Sequence, residues 1–187
     1  MPRYYEYEVV LTDTQPLIWR RFLLRTLSTF ADLHKAIQES FGWQNYHLHE
    51  FRLPTFDGRP IAGLPGGEEY DRPTPDGRTV KLSSYFTGKI TTEWCEYVYD
   101  FGDDWVHEVK LRQVISDKGT FKRRLLAGER ACPPEDCGGT RGYQRMVHYL
   151  ETGKDLYGDD AVDLGEWLGD WRPDAFDLKA ARSTFDR

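Results

Sequence analysis

The stretch "EYVYDFGDDWVHEVKL", residues 96–111, constrains the fold more than any other part of the chain. Aromatic and branched residues alternate with charged ones on both sides of a Gly-Asp-Asp tip, the pattern of two strands around a tight turn. A three-residue loop at Gly102–Asp104 pairs Phe101 with Trp105, Tyr99 with His107 and Tyr97 with Val109. Every apolar residue then shares one face, and the other face sets Glu96 against Lys110 as a favourable cross-strand pair. A slip by one residue would mix the two faces, which burial of one face penalises. The pattern therefore predicts residues 95–101 and 105–111 as antiparallel neighbours, with Tyr99 and His107 on one side.

Other segments add to this frame. Tyr5, Tyr7 and Val9 alternate with Glu6 and Glu8, and "PLIWRRFLL" (16–24) follows the turn signal "DTQP" as a second strand. "STFADLHKAIQESFGW" (28–43) changes to helical spacing, with Phe30, Leu33, Ile37 and Phe41 in one stripe. Ser28 or Thr29 can cap that helix and Gly42 can end it. "HLHEFRL" (47–53) returns to period two, and the next thirty residues, rich in Gly, Pro and Asp, read as an irregular excursion. "KLSSYF" (81–86) is a short element of either type. Helices are expected at 143–151, at 159–169 with acids in the first turn, and at 173–185 with Pro173 near the first position. The sum is an α+β class in one domain spanning 1–187. An antiparallel sheet packs on one main helix, with additional C-terminal helices.

Composition narrows the function classes. A net charge of −6 with a pI near 5.4 argues against a general nucleic-acid coat. Charge is uneven, however, with basic runs at 18–25 and 118–124 and an acidic run at 155–170. No run approaches the ~20 apolar residues of a bilayer span, so no membrane partner is expected. The cysteines, Cys95, Cys132 and Cys137, are few and odd in number, and the first residues carry no apolar signal core. Free thiols in a reducing cytoplasm are expected.

The stretches "PLIWRRFLL", "LHKAIQESFGWQNYHLHEF", "YVYDFGDDWVHEV", "LAGERACPPEDCGGTRGY" and "WRPDAFDL" occur in this order. Together they make the chain resemble the plasmid pRi ORF-three-like family, from about Tyr4 to about Leu178. The resemblance implies an α+β domain carried on plasmids, in mobile elements and in bacterial genomes, and it supplies no reaction. Some members carry a resolvase (TnpR-like) label. A serine recombinase needs a nucleophilic Ser near arginines in its N-terminal domain, yet no Ser precedes Ser28, and the C-terminal third is acidic. The label does not fit this chain.

Three places could carry chemistry. His47 and His49, two apart on a strand, point to one side and could hold a divalent metal, with Asp100, Asp103, Asp104, His107, Glu135 or Asp136 completing the shell. The plainer reading is two histidines on a half-buried face beside Phe51. His107 with Asp103 and Asp104 could act as an acid–base pair, or could be a buried histidine bonded to Tyr or Asp. The loop "ACPPEDCGGTRGY" (131–143) could be a metal or acid–base site, an anion cradle or a stiff corner. Pro133-Pro134 restricts the backbone, Glu135 and Asp136 can accept backbone N–H bonds, and Gly138-Gly139 permits unusual dihedrals. The stiff corner is the reading carried forward. Cys132 and Cys137 lack the further ligands a zinc site needs.

The preferred function is a non-catalytic cytoplasmic binding or accessory module. Its candidate cleft comprises His47, His49, Asp103, Asp104, Trp105, His107, Glu135 and Asp136. His47, His49, His107 and Glu135 or Asp136 are expected to converge there. No cofactor is required by this reading, and a divalent metal on His47, His49 and His107 is the one these residues would take. The alternatives are a metal-dependent hydrolase using the same residues, and a nucleic-acid accessory protein using Arg20, Arg21, Lys122, Arg123 and Arg124. The partner would then be a protein or a nucleic acid.

Overall fold

The structure, a computed structural model, describes residues 1–65, 73–88, 93–158 and 161–187, with side chains left aside at 161–163. The strands are β1 (Arg3–Leu11), β2 (Ile18–Arg25), β3 (His49–Arg52), β4 (Pro60–Gly63), β5 (Trp94–Tyr99), β6 (Trp105–Ser116) and β7 (Arg123–Glu129). The helices are α1 (Phe30–Phe41), α2 (Gly139–Thr152), α3 (Ala161–Leu168) and α4 (Leu178–Phe185), and a short 3-10 turn covers Leu82–Ser84. The fold is α+β. One seven-stranded sheet runs in the order β4-β3-β5-β6-β1-β2-β7, and every strand pair is antiparallel.

Alternation decides which face of the sheet is covered. Tyr5, Tyr7, Val9, Phe22, Phe51, Tyr97, Tyr99, Trp105 and Val109 are buried with Phe30, Leu33, Ile37 and Phe41 of α1 in one aromatic-rich core. The intervening residues form charge pairs along the strands: Arg21 with Glu6, Arg112 with Glu8, Arg52 with Glu50 and Lys110 with Glu108. Helix α1 starts with a full capping box. Thr29 Oγ1 accepts the Asp32 N–H at 3.3 Å, and Asp32 Oδ2 accepts the Thr29 N–H at 2.8 Å. It ends at Gly42, which has a φ of 95° and donates its N–H to the Gln38 carbonyl at 2.8 Å.

The hairpin keeps its predicted faces and changes its register by two residues. Tyr99 pairs with Trp105, Tyr97 with His107 and Cys95 with Val109, while Lys110 faces Trp94 and Glu96 faces Glu108. The loop is Asp100–Asp104, with Asp100 and Asp104 both in left-handed backbone (φ 56° and 53°) and the Asp104 N–H bonded to the Asp100 carbonyl at 2.7 Å. Two acids that tolerate this conformation, and one of which caps the Gly102 N–H, make the wider turn. A slip of two keeps each strand residue on its face and moves only Phe101 out into the loop, where it is exposed, so periodicity alone could not choose between the registers. The expected Glu96–Lys110 pair is not formed.

Two boundaries also differ. Helix α4 begins at Leu178, capped by Asp177, whose side chain accepts the N–H groups of Lys179 and Ala180. Pro173 lies before it in a turn and accepts the Ala131 N–H at its carbonyl. Helix α2 starts at Gly139, four residues before the predicted start. The first-turn acids expected at 159 and 160 lie outside the described residues. Strand β4 falls in the stretch read as irregular, because a four-residue strand that begins with Pro has no legible alternation. Both edges of the sheet are occupied. Gly63 of β4 exchanges backbone bonds with Pro75 and Gly77, and β7 receives Asp186, Arg187 and Arg182 of the C-terminal segment.

Candidate functional site

Three loops meet at one end of β3 and β5: the 43–48 turn after α1, the Asp100–Asp104 hairpin tip, and the 131–138 loop before α2. The 131–138 loop is held by side chains at its carbonyls. Trp43 Nε1 donates to the Pro133 carbonyl at 3.0 Å, and Trp171 Nε1 donates to the Cys132 carbonyl at 2.9 Å. Pro133 and Pro134 have no N–H to leave unsatisfied, so two indoles complete the corner. Gly138 at φ 88° turns the chain into α2, and its N–H goes to Asp103 Oδ2 at 3.1 Å. That carboxylate occupies the position an external anion would need, which disfavours the anion cradle.

Glu135 joins the other two loops. Its carboxylate accepts the Gln44 N–H at 2.8 Å and the Tyr99 hydroxyl at 3.0 Å, and that hydroxyl in turn accepts the Tyr46 N–H at 3.0 Å. His47 sits among acids from all three loops. Its Nε2 lies 3.0 Å from Asp136 Oδ1, 3.6 Å from Asp100 Oδ2 and 4.0 Å from Glu135 Oε2. That nitrogen is buried, yet none of the three oxygens lies in line for a hydrogen bond.

The remaining histidines part company with His47. His49 stacks on His34 of α1, with ring centroids 3.4 Å apart and planes within 5°. His34 Nε2 faces Asn45 Oδ1 at 2.8 Å, an acceptor, so Nε2 carries the proton and Nδ1 accepts the Tyr97 hydroxyl at 2.8 Å. Burial lowers the His34 pKa to about 4. Burial, with a smaller contribution from His34, lowers that of His49 to about 3. His107 lies in the core between the edges of Phe41 and Trp43, its Nδ1 facing the carbonyls of Tyr97 and Trp105, and burial lowers its pKa to about 3. The expected convergence of His47, His49 and His107 therefore does not occur. Sheet register places His107 under α1 and His49 on the helix, so the three make no common ligand set.

The other candidates separate in the same way. Asp103 tethers α2, Asp104 shapes the turn, and Trp105 is a core residue. Glu135 and Asp136 do join His47, and Asp100 is the hairpin acid that reaches them. The pairing of His107 with Asp103 or Asp104 as an acid–base unit has no counterpart here, because its ring is buried against aromatics and carbonyls. His34 was missed. It follows Leu33 on the apolar stripe of α1, and an imidazole at that helical position faces inward toward the 47–49 segment.

His34, His49, Asn45, Tyr46, Leu48 and Leu64 border a recess of about 450 Å³, which the ion-paired Asp76 and Arg78 also line. His47 also lines it, so it stands between a recess of neutral walls and a cluster of acids. The thiols offer no nucleophile. Burial raises the pKa of Cys95 and Cys132 well above the usual thiol range and pushes Cys137 up to about 12, with Asp103 adding to the last. All three cysteines are free.

The basic set is divided between the interior and the surface. Arg20 is 1% exposed, lies between Phe41 and Phe176, and donates to the carbonyls of Ser40, Glu129 and Arg130. Arg123 is buried against Phe185 and paired with Glu39, and Arg124 stacks on Phe121 beside Asp117. Two of the five residues expected to face phosphates are thus bound inside the fold.

Comparison with known proteins agrees with the sheet and its motifs. The chain is 34% identical over 163 residues to the uncharacterized protein y4hQ of Sinorhizobium fredii, covering 87% of this chain and 79% of that one. It also superposes on the crystal structure of MM3350, a protein of unknown function from Methanosarcina mazei Go1. The TM-score is 0.81 at 35% identity, over 96% of this chain and 98% of that chain. Residues 3–180 match the family model of the plasmid pRiA4b ORF-3-like proteins, and the chain belongs to that family.

Proposed function

We propose that this chain is a cytoplasmic, non-catalytic binding module of its plasmid-associated family, and that its ligand enters the recess beside α1. The observation that carries this reading is the protonation state of the walls. Two of the histidines that line it, His34 and His49, are held neutral by burial, with pKa values of about 4 and about 3, so neither serves as an acid or base near neutral pH. The cysteine thiols lie away from the recess and are held protonated by their surroundings. A recess of about 450 Å³ is of the size that takes a small molecule. Among the described residues that line it, Asp76 and Arg78 carry opposite charges that neutralise each other, and Leu48, Leu64 and Tyr46 add apolar surface. Such walls favour an uncharged, planar ligand able to meet an imidazole or an amide.

The test is ligand-observed NMR with a panel of indole, benzamide and nicotinamide, together with the imidazole resonances of His34 and His49. Binding that perturbs both rings and is lost in Leu64→Arg supports the reading. Turnover of p-nitrophenyl phosphate or p-nitrophenyl acetate by the wild type, at rates above those of His47→Ala, would overturn it in favour of a hydrolase.

A further inference from the structure

We propose that His47, Asp100, Glu135 and Asp136 form a binding site for a divalent first-row transition-metal ion such as zinc or manganese. One imidazole nitrogen and one oxygen each from Asp100 and Asp136 lie within 4.8 Å of one another. Ligands on one ion with bonds of roughly 2.0–2.2 Å stand about 3–4 Å apart, so small side-chain rotations would close the set. Glu135 Oε2, 4.0 Å from His47 Nε2, supplies a fourth donor.

Three features favour an ion over an ordinary salt bridge. The first is the buried Nε2 of His47, which has acids around it and no hydrogen bond to any of them. The second is charge. Three carboxylates face one imidazole, and the Asp100 and Glu135 side chains are each only 11% exposed. An imidazolium could offset one of the three negative charges, whereas a divalent ion offsets two. The third is orientation by neighbours. Asp100 gives Oδ1 to the Gly102 N–H and turns Oδ2 to His47, while Glu135 is held by the Gln44 N–H and the Tyr99 hydroxyl. In Asp100 one oxygen is held while the other faces the site, and in Glu135 the carboxylate as a whole is fixed, which is how outer groups orient metal ligands.

The donor set also selects the ion. Imidazole with carboxylates suits zinc, manganese or iron(II), while calcium and magnesium prefer oxygen ligands alone. Asp136, 69% exposed, leaves a side open to water or to a further ligand. The ion would tie together the 43–48 turn, the hairpin tip and the loop before α2. This inference does not rest on the uncharged-ligand recess; His47 borders both, whereas Asp136 does not line the recess, so Asp136→Asn tests the ion alone.

The experiment uses full-length protein without a histidine tag, stripped with chelator and titrated calorimetrically with ZnCl₂ and, separately, MnCl₂. One ion per chain should bind, with a higher melting temperature, and the His47 Cε1–H resonance should shift with zinc and broaden with manganese. Asp136→Asn and His47→Ala should each weaken binding at least ~10-fold, while Cys132→Ala/Cys137→Ala should leave it unchanged. Asp136 is exposed, so its variant remains informative if His47→Ala fails to fold. No saturable uptake would overturn the proposal and leave a histidine–carboxylate salt bridge. Uptake insensitive to Asp136→Asn, or abolished by the cysteine variant, would also overturn it.

Discussion

The Tyr99 hydroxyl accepts the Tyr46 N–H and donates to Glu135, so one atom spaces two of the three loops at the site. Tyr99→Phe leaves that N–H and that carboxylate short of a partner. A loss of about 1–3 kcal/mol is expected in urea denaturation at neutral pH, and an unchanged midpoint would show that water replaces the hydroxyl. The histidines make a second prediction. His34, His49 and His107 are neutral when folded down to about pH 4, 3 and 3, but their unfolded forms take up protons near pH 6.5. The unfolded chain therefore binds more protons than the folded one across that window. Stability is complete above about pH 6.5, declines on acidification, and levels off only where the folded imidazoles also protonate. Each pH unit of depression corresponds to about 1.4 kcal/mol, so burial of these neutral rings makes the fold less stable in acid. Cooperative acid unfolding is expected between pH 6 and 4 by circular dichroism, shifted to lower pH in His34→Gln/His49→Gln. The sequence made His47, Glu135 and Asp136 visible as donors. It left Asp100, Asp103 and Asp104 interchangeable, because only the hairpin register decides which acid reaches the histidine.

Helix α2 begins where the chain passes itself most closely. A Cβ on Gly142 would lie 1.6 Å from the Cys137 carbonyl oxygen, whereas one on Gly153 at the other end of the helix would meet nothing within 4 Å. Gly142→Ala is expected to cost about 3 kcal/mol or more, or to unwind the first turn of α2. Gly153→Ala, whose φ of 69° is the only obstacle, should cost about 1 kcal/mol. Paired melting curves would separate the two effects, and equal losses would contradict the close-approach argument. In α1, spacing and caps agreed, so its end at Gly42 could be read directly and its start narrowed to Ser28 or Thr29, of which Thr29 is the cap. In α4 they competed: Pro173 suits a first turn, but Asp177, directly before Leu178, accepts the Lys179 and Ala180 N–H groups, and the cap prevails. Periodicity likewise assigned the faces of the β5–β6 hairpin and could not assign its register, since a shift of two conserves every face.

At the level of the whole molecule, the loop with Cys132 and Cys137 packs against the sheet core and the two thiols remain free. Cys132→Ala/Cys137→Ala is expected to lose about 1–3 kcal/mol through packing alone, with both thiols titratable in denaturant and the melting temperature insensitive to chelator in the absence of added metal. Collapse of the variant would show that the corner depends on sulfur chemistry. Sheet, main helix and helix order were legible because each follows from a period, while the meeting of the three loops depends on contacts between residues some fifty to ninety positions apart, such as Gln44 with Glu135 and Tyr46 with Tyr99. The tied-off margins of the sheet bear on how other chains can be recognised. With Gly63 of β4 bonded to the 75–77 backbone, and Arg123 and Leu125 of β7 bonded to the C-terminal segment, a main-chain ladder added at these points would first have to displace a native partner. A partner that docks there without doing so would be read through side chains, so its grip would depend on its own sequence and not on the mere presence of an extended peptide.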